Sequence, residues 1–351
     1  MVKICFVLPS LQKKTSPIEG ISLIIKHLSK KYDVYITGIL DNKDLCKIDF
    51  GEAKILVNSE KNICKKISKL KGCNADIYVS SLFQSDIICS LINRKKISIV
   101  RSDLLSNYTF DKGKLIGLLM YFIHVLSLST FNRVLTLTKQ NANRLIFNKN
   151  KNIKVIRNFF HENYTQLIDM PKNKELNILF AGHLSARKGI WELIKIVHHL
   201  VANNFNVKLI ILGSGVLGTK IKGYIENNNL YDNIKLVGYV ENVFDYIIKS
   251  HYSILPSYSE GISRFILESL YAGRKVIVRN TSGIDEILNA ENAYLFKKNI
   301  ELEELLINLI DSKKYLNDPC VVYPKAFNKK TNLKNIEDEI IHLVRNKPLN
   351  Q

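Results

Sequence analysis

Midway along the chain stands Asn177-Ile178-Leu179-Phe180-Ala181-Gly182-His183-Leu184-Ser185-Ala186-Arg187-Lys188-Gly189. A four-residue apolar run meets a glycine, a basic polar loop follows, and residues 190–203 then carry apolar side chains at helical spacing. A strand feeding a loop and then a helix opens a βαβ unit, the repeating piece of a parallel sheet. This is the second such opening in the chain. A polar stretch, Met170-Pro171-Lys172-Asn173-Lys174, precedes it, and a full α/β series lies upstream.

In that upstream series, residues 3–8, 34–39, 77–80, 97–100, 134–137 and 154–156 read as strands. A helix is predicted over 19–31, with Ile21, Ile24, Ile25 and Leu28 on one face. Downstream, strands are predicted at 177–181, 208–212, 235–237, 252–255 and 275–278, with helices at 190–203 and 262–272. At about 150 residues per domain, 351 residues suit two domains. The expected fold is α/β, two Rossmann-like domains facing across a cleft. Expected bounds are 1–165 for the first, 166–325 for the second, and 326–351 for a C-terminal helix packing back toward the first.

Composition removes several classes. A 46% hydrophobic and 24% charged chain is ordinary for a globular protein and argues against disorder. The cysteines Cys5, Cys46, Cys64, Cys73, Cys89 and Cys320 show no CxxC spacing, so no zinc ribbon or dense disulfide scaffold is predicted, and a reducing cytosol is expected. The N-terminal apolar stretch is too brief for a secretory signal. The longest apolar run, 115–131, is 17 residues and contains His124, Ser127, Ser129 and Thr130, just short of a membrane span. It reads as a buried helix of the first domain or as an interfacial one.

The net charge of +19 is unevenly placed: residues 1–170 hold 27 Lys+Arg against 13 Asp+Glu, a surplus of +14. Such asymmetry points the first half toward an anionic partner, a membrane surface or nucleic acid. A general lysine bias of the composition gives the same surplus without function. Lys61, Lys65, Lys66, Lys69 and Lys71 fall in one short helical stretch, and Lys112 and Lys114 stand just before the apolar run. Basic residues beside exposed apolar side chains hold a protein on anionic lipid. A nucleic-acid module would show a helix-turn-helix, RNA-binding aromatics or zinc ligands, and none is evident. A dinucleotide oxidoreductase would carry Gly-x-Gly-x-x-Gly after the first strand, where Val7-Leu8-Pro9-Ser10 stands instead.

Ligands of open parallel sheets bind at the carboxyl ends of strands, so the loops there hold the candidate residues. After the first strand come Pro9-Ser10 and a loop with Thr15, Ser16, Pro17 and Gly20. In the second domain the loops are Gly182 to Gly189, Gly213-Ser214-Gly215, and Pro256-Ser257-Tyr258-Ser259-Glu260-Gly261. Glu260-Gly261-Ile262-Ser263-Arg264-Phe265-Ile266-Leu267-Glu268 sets two carboxylates around a helix start. Fully helical, they would lie about 12 Å apart and grip two ends of an extended ligand. The amides of Ile262, Ser263 and Arg264 at the positive helix end suit a phosphate. The plain alternative makes Glu260 a helix-leading residue and Glu268 a solvent-facing one. Arg187 and Lys188 suit a diphosphate, or are solvated surface.

In this order and spacing the motifs resemble the retaining nucleotide-sugar glycosyltransferases of the GT-B fold, family 4 (glycosyl transferases group 1). The likeness spans most of the chain and is densest over 177–296. Gly182-His183-Leu184 and Lys188-Gly189 stand where that family has Gly-Arg-Leu and Lys-Gly, and Gly213-Ser214-Gly215 and Gly238-Tyr239-Val240 match its next two turns. Glu260 and Glu268, with seven residues between them, match its glutamate pair, and Ala272-Gly273 follows. Gly283-Ile284-Asp285-Glu286 and Asn292-Ala293-Tyr294-Leu295-Phe296 complete the series, with Gly20 and Asn158 in the first domain.

The resemblance implies a metal-independent hexosyltransferase with no cofactor, moving a hexose or N-acetylhexosamine from a UDP- or GDP-sugar to a saccharide or undecaprenyl-linked acceptor. Such enzymes build O-antigen, capsule or lipopolysaccharide, and the expected place is cytoplasmic, peripheral on the inner face of the plasma membrane; a soluble acceptor is the other reading. Lys188 would meet the diphosphate, Glu260 the transferred sugar and Glu268 the ribose hydroxyls. The amides of Gly261, Ile262, Ser263 and Arg264 would cap phosphates. Tyr239 and Val240 would hold the base, and Gly20, His183, Arg187, Gly213 and Gly215 would complete the donor pocket. Two departures stand out: His183 replaces an arginine, and Ser263 a common proline. A third is Arg101-Ser102-Asp103, where many members have a histidine, which leaves Asp103 a weak candidate for the acceptor side.

Overall fold

A computed structural model describes residues 1–351 except 13–15, 41–47, 57–59, 61, 146–151, 161–168, 282, 321–322 and 347–351. Thr15, Cys46 and Lys61, named above, lie outside the described residues. The chain forms two compact units: Met1–His161 together with Ala326–Gln351, and Glu162–Lys325.

In the first unit the order is β1 (Lys3–Leu8), α1 (Ser16–Ser29), β2 (Asp33–Gly38), β3 (Lys54–Ile55), α2 (Ile63–Gly72), β4 (Ile77–Ser80), α3 (Phe83–Ser90), β5 (Lys96–Val100), α4 (Leu104–Lys112), α5 (Lys114–Leu128), β6 (Arg133–Thr136), α6 (Lys139–Arg144) and β7 (Ile153–Val155). The second runs β8 (Leu176–Ala181), α7 (Ile190–Ala202), β9 (Val207–Leu212), α8 (Gly218–Asn227), β10 (Ile234–Gly238), α9 (Phe244–Ile247), β11 (Tyr252–Leu255), α10 (Arg264–Tyr271), β12 (Val276–Arg279), β13 (Ala293–Phe296) and α11 (Asn299–Asp311). The chain then returns to the first unit as α12 (Lys329–Arg345).

Among the described residues each unit has one parallel sheet, ordered β3-β2-β1-β4-β5-β6-β7 and β10-β9-β8-β11-β12-β13. Both reverse direction of winding beside their first strand, between β1 and β4 and between β8 and β11, as in doubly wound folds. Every residue of β8 and β11 is buried, which explains their unbroken apolar reading: helices cover both faces of a parallel sheet. The expected two Rossmann-like α/β domains are present.

Two strands and two helix starts differ from the sequence reading. Strands β3 and β13 were not predicted as strands, the first because it is two exposed residues long. Helix α10 begins at Arg264, not 262, because Ser263 has extended backbone angles and serves as its N-cap. The helical 12 Å spacing of Glu260 and Glu268 therefore does not apply. Helix α1 begins earlier, at Ser16, and closes at Ser29.

The apolar run before Phe131 is α5, and its two faces differ. Gly117, Tyr121, His124, Val125 and Leu128 are buried, and a Cβ on Gly117 would lie 2.4 Å from the backbone of Thr109, so the glycine lets α4 approach. Beneath that face Asp86 Oδ2 accepts from His124 Nε2 at 2.8 Å, and Tyr108 Oη lies 2.7 Å from His124 Nδ1. Leu115, Ile116, Leu119, Phe122, Ile123 and Leu126 are instead exposed, from 43% to 83%. The run is thus neither wholly buried nor wholly exposed. Among the described residues no helix is long and apolar enough to cross a membrane.

Candidate active site

In the second unit the two loops at the reversal point are those after β8 and β11, and they carry Lys188 and Glu260. The two side chains form an ion pair, both largely shielded from solvent. The loops are laced along their length: Tyr258 N donates to Arg187 O at 2.9 Å, and Arg187 Nη1 donates to Ser259 O at 2.9 Å. Gly189 closes the first loop at φ 67°, where a Cβ would stand 2.2 Å from Pro256 O. Only glycine admits that backbone contact, and it fixes Lys188 against the loop of Glu260.

The next turn locks onto the first in the same manner. Gly213 has φ 124°, and a Cβ there would fall 1.9 Å from Gly182 O. Leu184 N donates to Ser214 O at 2.9 Å, and Gly213 N to Gly238 O at 2.7 Å, so the ends of β8, β9 and β10 are tied backbone to backbone. A Cβ on Gly215 would likewise fall 2.5 Å from Leu184 O. His183 and Tyr239 stand exposed on these turns, and Val240 packs on the core below.

Beyond Glu260, Gly261 and Ile262 are buried, and α10 starts at Arg264 without a side-chain cap from Ser263. The first intrahelical bond is Leu267 N to Ser263 O, at 3.3 Å. The first-turn amides of a helix have no intrahelical acceptor and point along its positive end; here they belong to Arg264, Phe265 and Ile266, two residues later than expected. Glu268 is half-buried on α10. Lys188, Glu260, Arg187, His183, the glycine turns and the head of α10 thus gather at one end of one sheet.

Gly20 and Asn158 belong to the other unit. The Arg101 guanidinium lies over Gly20, its Nη2 2.5 Å from where a Cβ would be, and Nη2 donates to Asn158 Oδ1 at 2.8 Å. Asp103 is buried, caps α4 through Ser106 N, accepts from Ser106 Oγ at 2.6 Å and pairs with Arg144. These structural duties argue against an acceptor-side role for Asp103. The loop after β4 carries Leu82 at φ 76°, a strained angle for leucine.

Sequence reading missed Arg279, at the end of β12, which is 6% exposed and bonds to Pro256 O. The signal was an arginine closing an apolar strand. Among the described residues no group of three His, Cys, Asp or Glu side chains is placed to hold a metal ion.

Residues 168–321 match the family model for glycosyl transferases group 1. The O-antigen biosynthesis glycosyltransferase WclY of Escherichia coli is 26% identical over 299 residues, 80% of each chain. An uncharacterized glycosyltransferase of Methanocaldococcus jannaschii is 31% identical over 153 residues, 41% of this chain and 37% of its own length. Among solved structures, Anabaena HepE in complex with UDP-glucose superposes with a TM-score of 0.78 at 16% identity, covering 97% of this chain and all of its own. Residues 168–321 thus carry the match to glycosyl transferases group 1, and the two parallel-sheet units have the fold of the GT-B glycosyltransferase structures.

Proposed function

We propose that this protein is a retaining, family 4-like glycosyltransferase that moves a hexose or N-acetylhexosamine from a nucleoside-diphosphate sugar to a saccharide acceptor. The observation that carries the reading is the Lys188–Glu260 pair at the reversal point of the second sheet, beside the head of α10. In transfer, the bond from the anomeric carbon to the diphosphate oxygen breaks, and the charge developing on the leaving phosphate is met by Lys188 and the α10 amides. Preorganised cations and amides stabilise such charge without reorganising at the moment of reaction. Glu260 holds the sugar hydroxyls and Glu268 the ribose. Arg187 and His183 line the phosphate side, and Tyr239 and Val240 the base. The acceptor oxygen attacks from the face of the leaving group, and its proton passes to the departing phosphate oxygen, so no protein nucleophile is required. HepE with UDP-glucose and WclY with its O-antigen role favour a UDP-sugar and a surface-polysaccharide acceptor.

We further propose a lipid-linked acceptor, met at the inner face of the plasma membrane. Its support is the exposed apolar face of α5 with Lys112 and Lys114, also exposed, at its start; that combination suits anionic lipid. The test is a panel of UDP- and GDP-sugars screened by thermal shift. The stabilising donor is then offered with lipid-linked saccharides in excess EDTA. One nucleotide sugar should stabilise the protein and be consumed with EDTA present. No stabilisation by any of them would overturn the glycosyltransferase reading, and activity that needs added magnesium or manganese would overturn the metal-free step.

A further inference from the structure

We propose that Arg279 is a positioning residue for sugar transfer: its guanidinium sets the loop that presents Glu260. This rests on the reading of Lys188 and Glu260 given above. Arg279 closes β12, the strand next to β11 in the sheet. Its Nε donates to Pro256 O at 3.1 Å, its Nη1 to Lys297 O at 2.5 Å and its Nη2 to Asn299 Oδ1 at 2.5 Å. The ring of Tyr258 lies 4.4 Å from its Cζ and that of Phe296 at 4.9 Å. The cation therefore grips two residues, Pro256 and Tyr258, of the five-residue stretch that ends in Glu260.

The same stretch is held from the opposite flank. Pro256 O abuts Gly189, Tyr258 N bonds to Arg187 O, and Ser259 O accepts from Arg187. Held on both flanks, the loop sets the Glu260 carboxylate against Lys188. Arginine suits the task because its planar fork makes several divergent bonds while its faces stack on rings; lysine offers one point charge. Burying a guanidinium against two carbonyls and an amide costs desolvation that bonding to neutral groups only partly returns. An apolar residue would end the strand more cheaply. The grip on the Glu260 loop accounts for the cost.

Displacing a reacting group by about 1 Å costs up to about 100-fold in rate. Arg279→Lys should therefore lower kcat at least about tenfold, with the donor identified by the panel and rates referred to folded protein. KM for the donor should change less. The decisive readout is the double-mutant cycle with Glu260→Ala: groups acting through one another do not add. In the Glu260→Ala background the same substitution should change kcat by less than about twofold. Equal losses in both backgrounds, or an unchanged kcat, would overturn the positioning role and leave the site reading standing. Wild-type turnover by Glu260→Ala itself would overturn both. If Arg279→Lys does not fold, Asn299→Ala, which removes one hold on the guanidinium, should give the same pattern with a smaller loss, and additivity there would count equally against the proposal.

Discussion

Lys188 and Glu260 are seventy-two positions apart and meet because their loops follow β8 and β11, neighbouring strands at the centre of the sheet. Each removes the charge cost of the other, so replacing either leaves a shielded ion without its partner. Lys188→Ala and Glu260→Ala should nevertheless fold, since neither belongs to the buried core. Transfer should fall at least about 100-fold in each, the scale for losing one electrostatic contact to developing charge. Near-normal turnover in both, measured as nucleoside diphosphate released, would sink the assignment. These two residues were legible in the sequence because motif spacing marks them. Arg279 and Arg274 were not. Arg274 is fully buried and bonds to Ser250 O, Asp169 O and Ile248 O, and arginine is read as a surface residue by default. Only the fold supplies the carbonyls that make such burial tolerable.

At the scale of the element, α5 repays its own test. Leu115, Leu119 and Leu126 are 83%, 60% and 72% exposed, so the triple change to Asp removes little from the fold. Binding to phosphatidylglycerol-rich vesicles should drop at least about tenfold, since burying such side chains in the interface drives attachment. The unaltered protein should bind neutral vesicles poorly and leave anionic ones at high salt. Equal binding to both lipids, or full binding by the triple variant in a co-sedimentation assay, would refute the membrane face. The apolar run was visible in sequence, but its division into faces was not, because His124 is stabilised by Asp86, thirty-eight positions away. Local pattern likewise gave most strands, whose β-branched runs are buried on both sides. It placed the head of α10 two residues early because Ile262 fits a helix face, while Ser263 turns the chain there.

For the molecule as a whole, acid stability in the second unit should follow His251. Burial holds its ring neutral and lowers its pKa to about 4, against an ordinary 6.5; Nδ1 accepts from Asn177 N at 3.0 Å, and Nε2 faces Pro171 O at 3.2 Å. A depressed folded pKa means that the unfolded chain takes up the proton first. The stabilisation is complete above pH 6.5 and is lost as pH falls toward 4. Melting temperature should decline through that window, and more shallowly in His251→Gln, which starts lower but has no ring to titrate. Parallel curves for the two proteins would contradict this.

The first unit is built from both ends of the described chain. Its core includes Leu333, Ile336, Ile340 and Ile341 of α12 beside Ile21, Ile24 and Phe6, and Glu337 accepts from His27, Lys31 and Tyr32. During translation those partners emerge only after the whole second unit has left the ribosome. Domains usually mature in the order they are made; here the earlier-born unit must wait with an open apolar flank while the later one closes. The second unit is in effect an insertion, and the nascent first unit is the species for which a chaperone has most to cover.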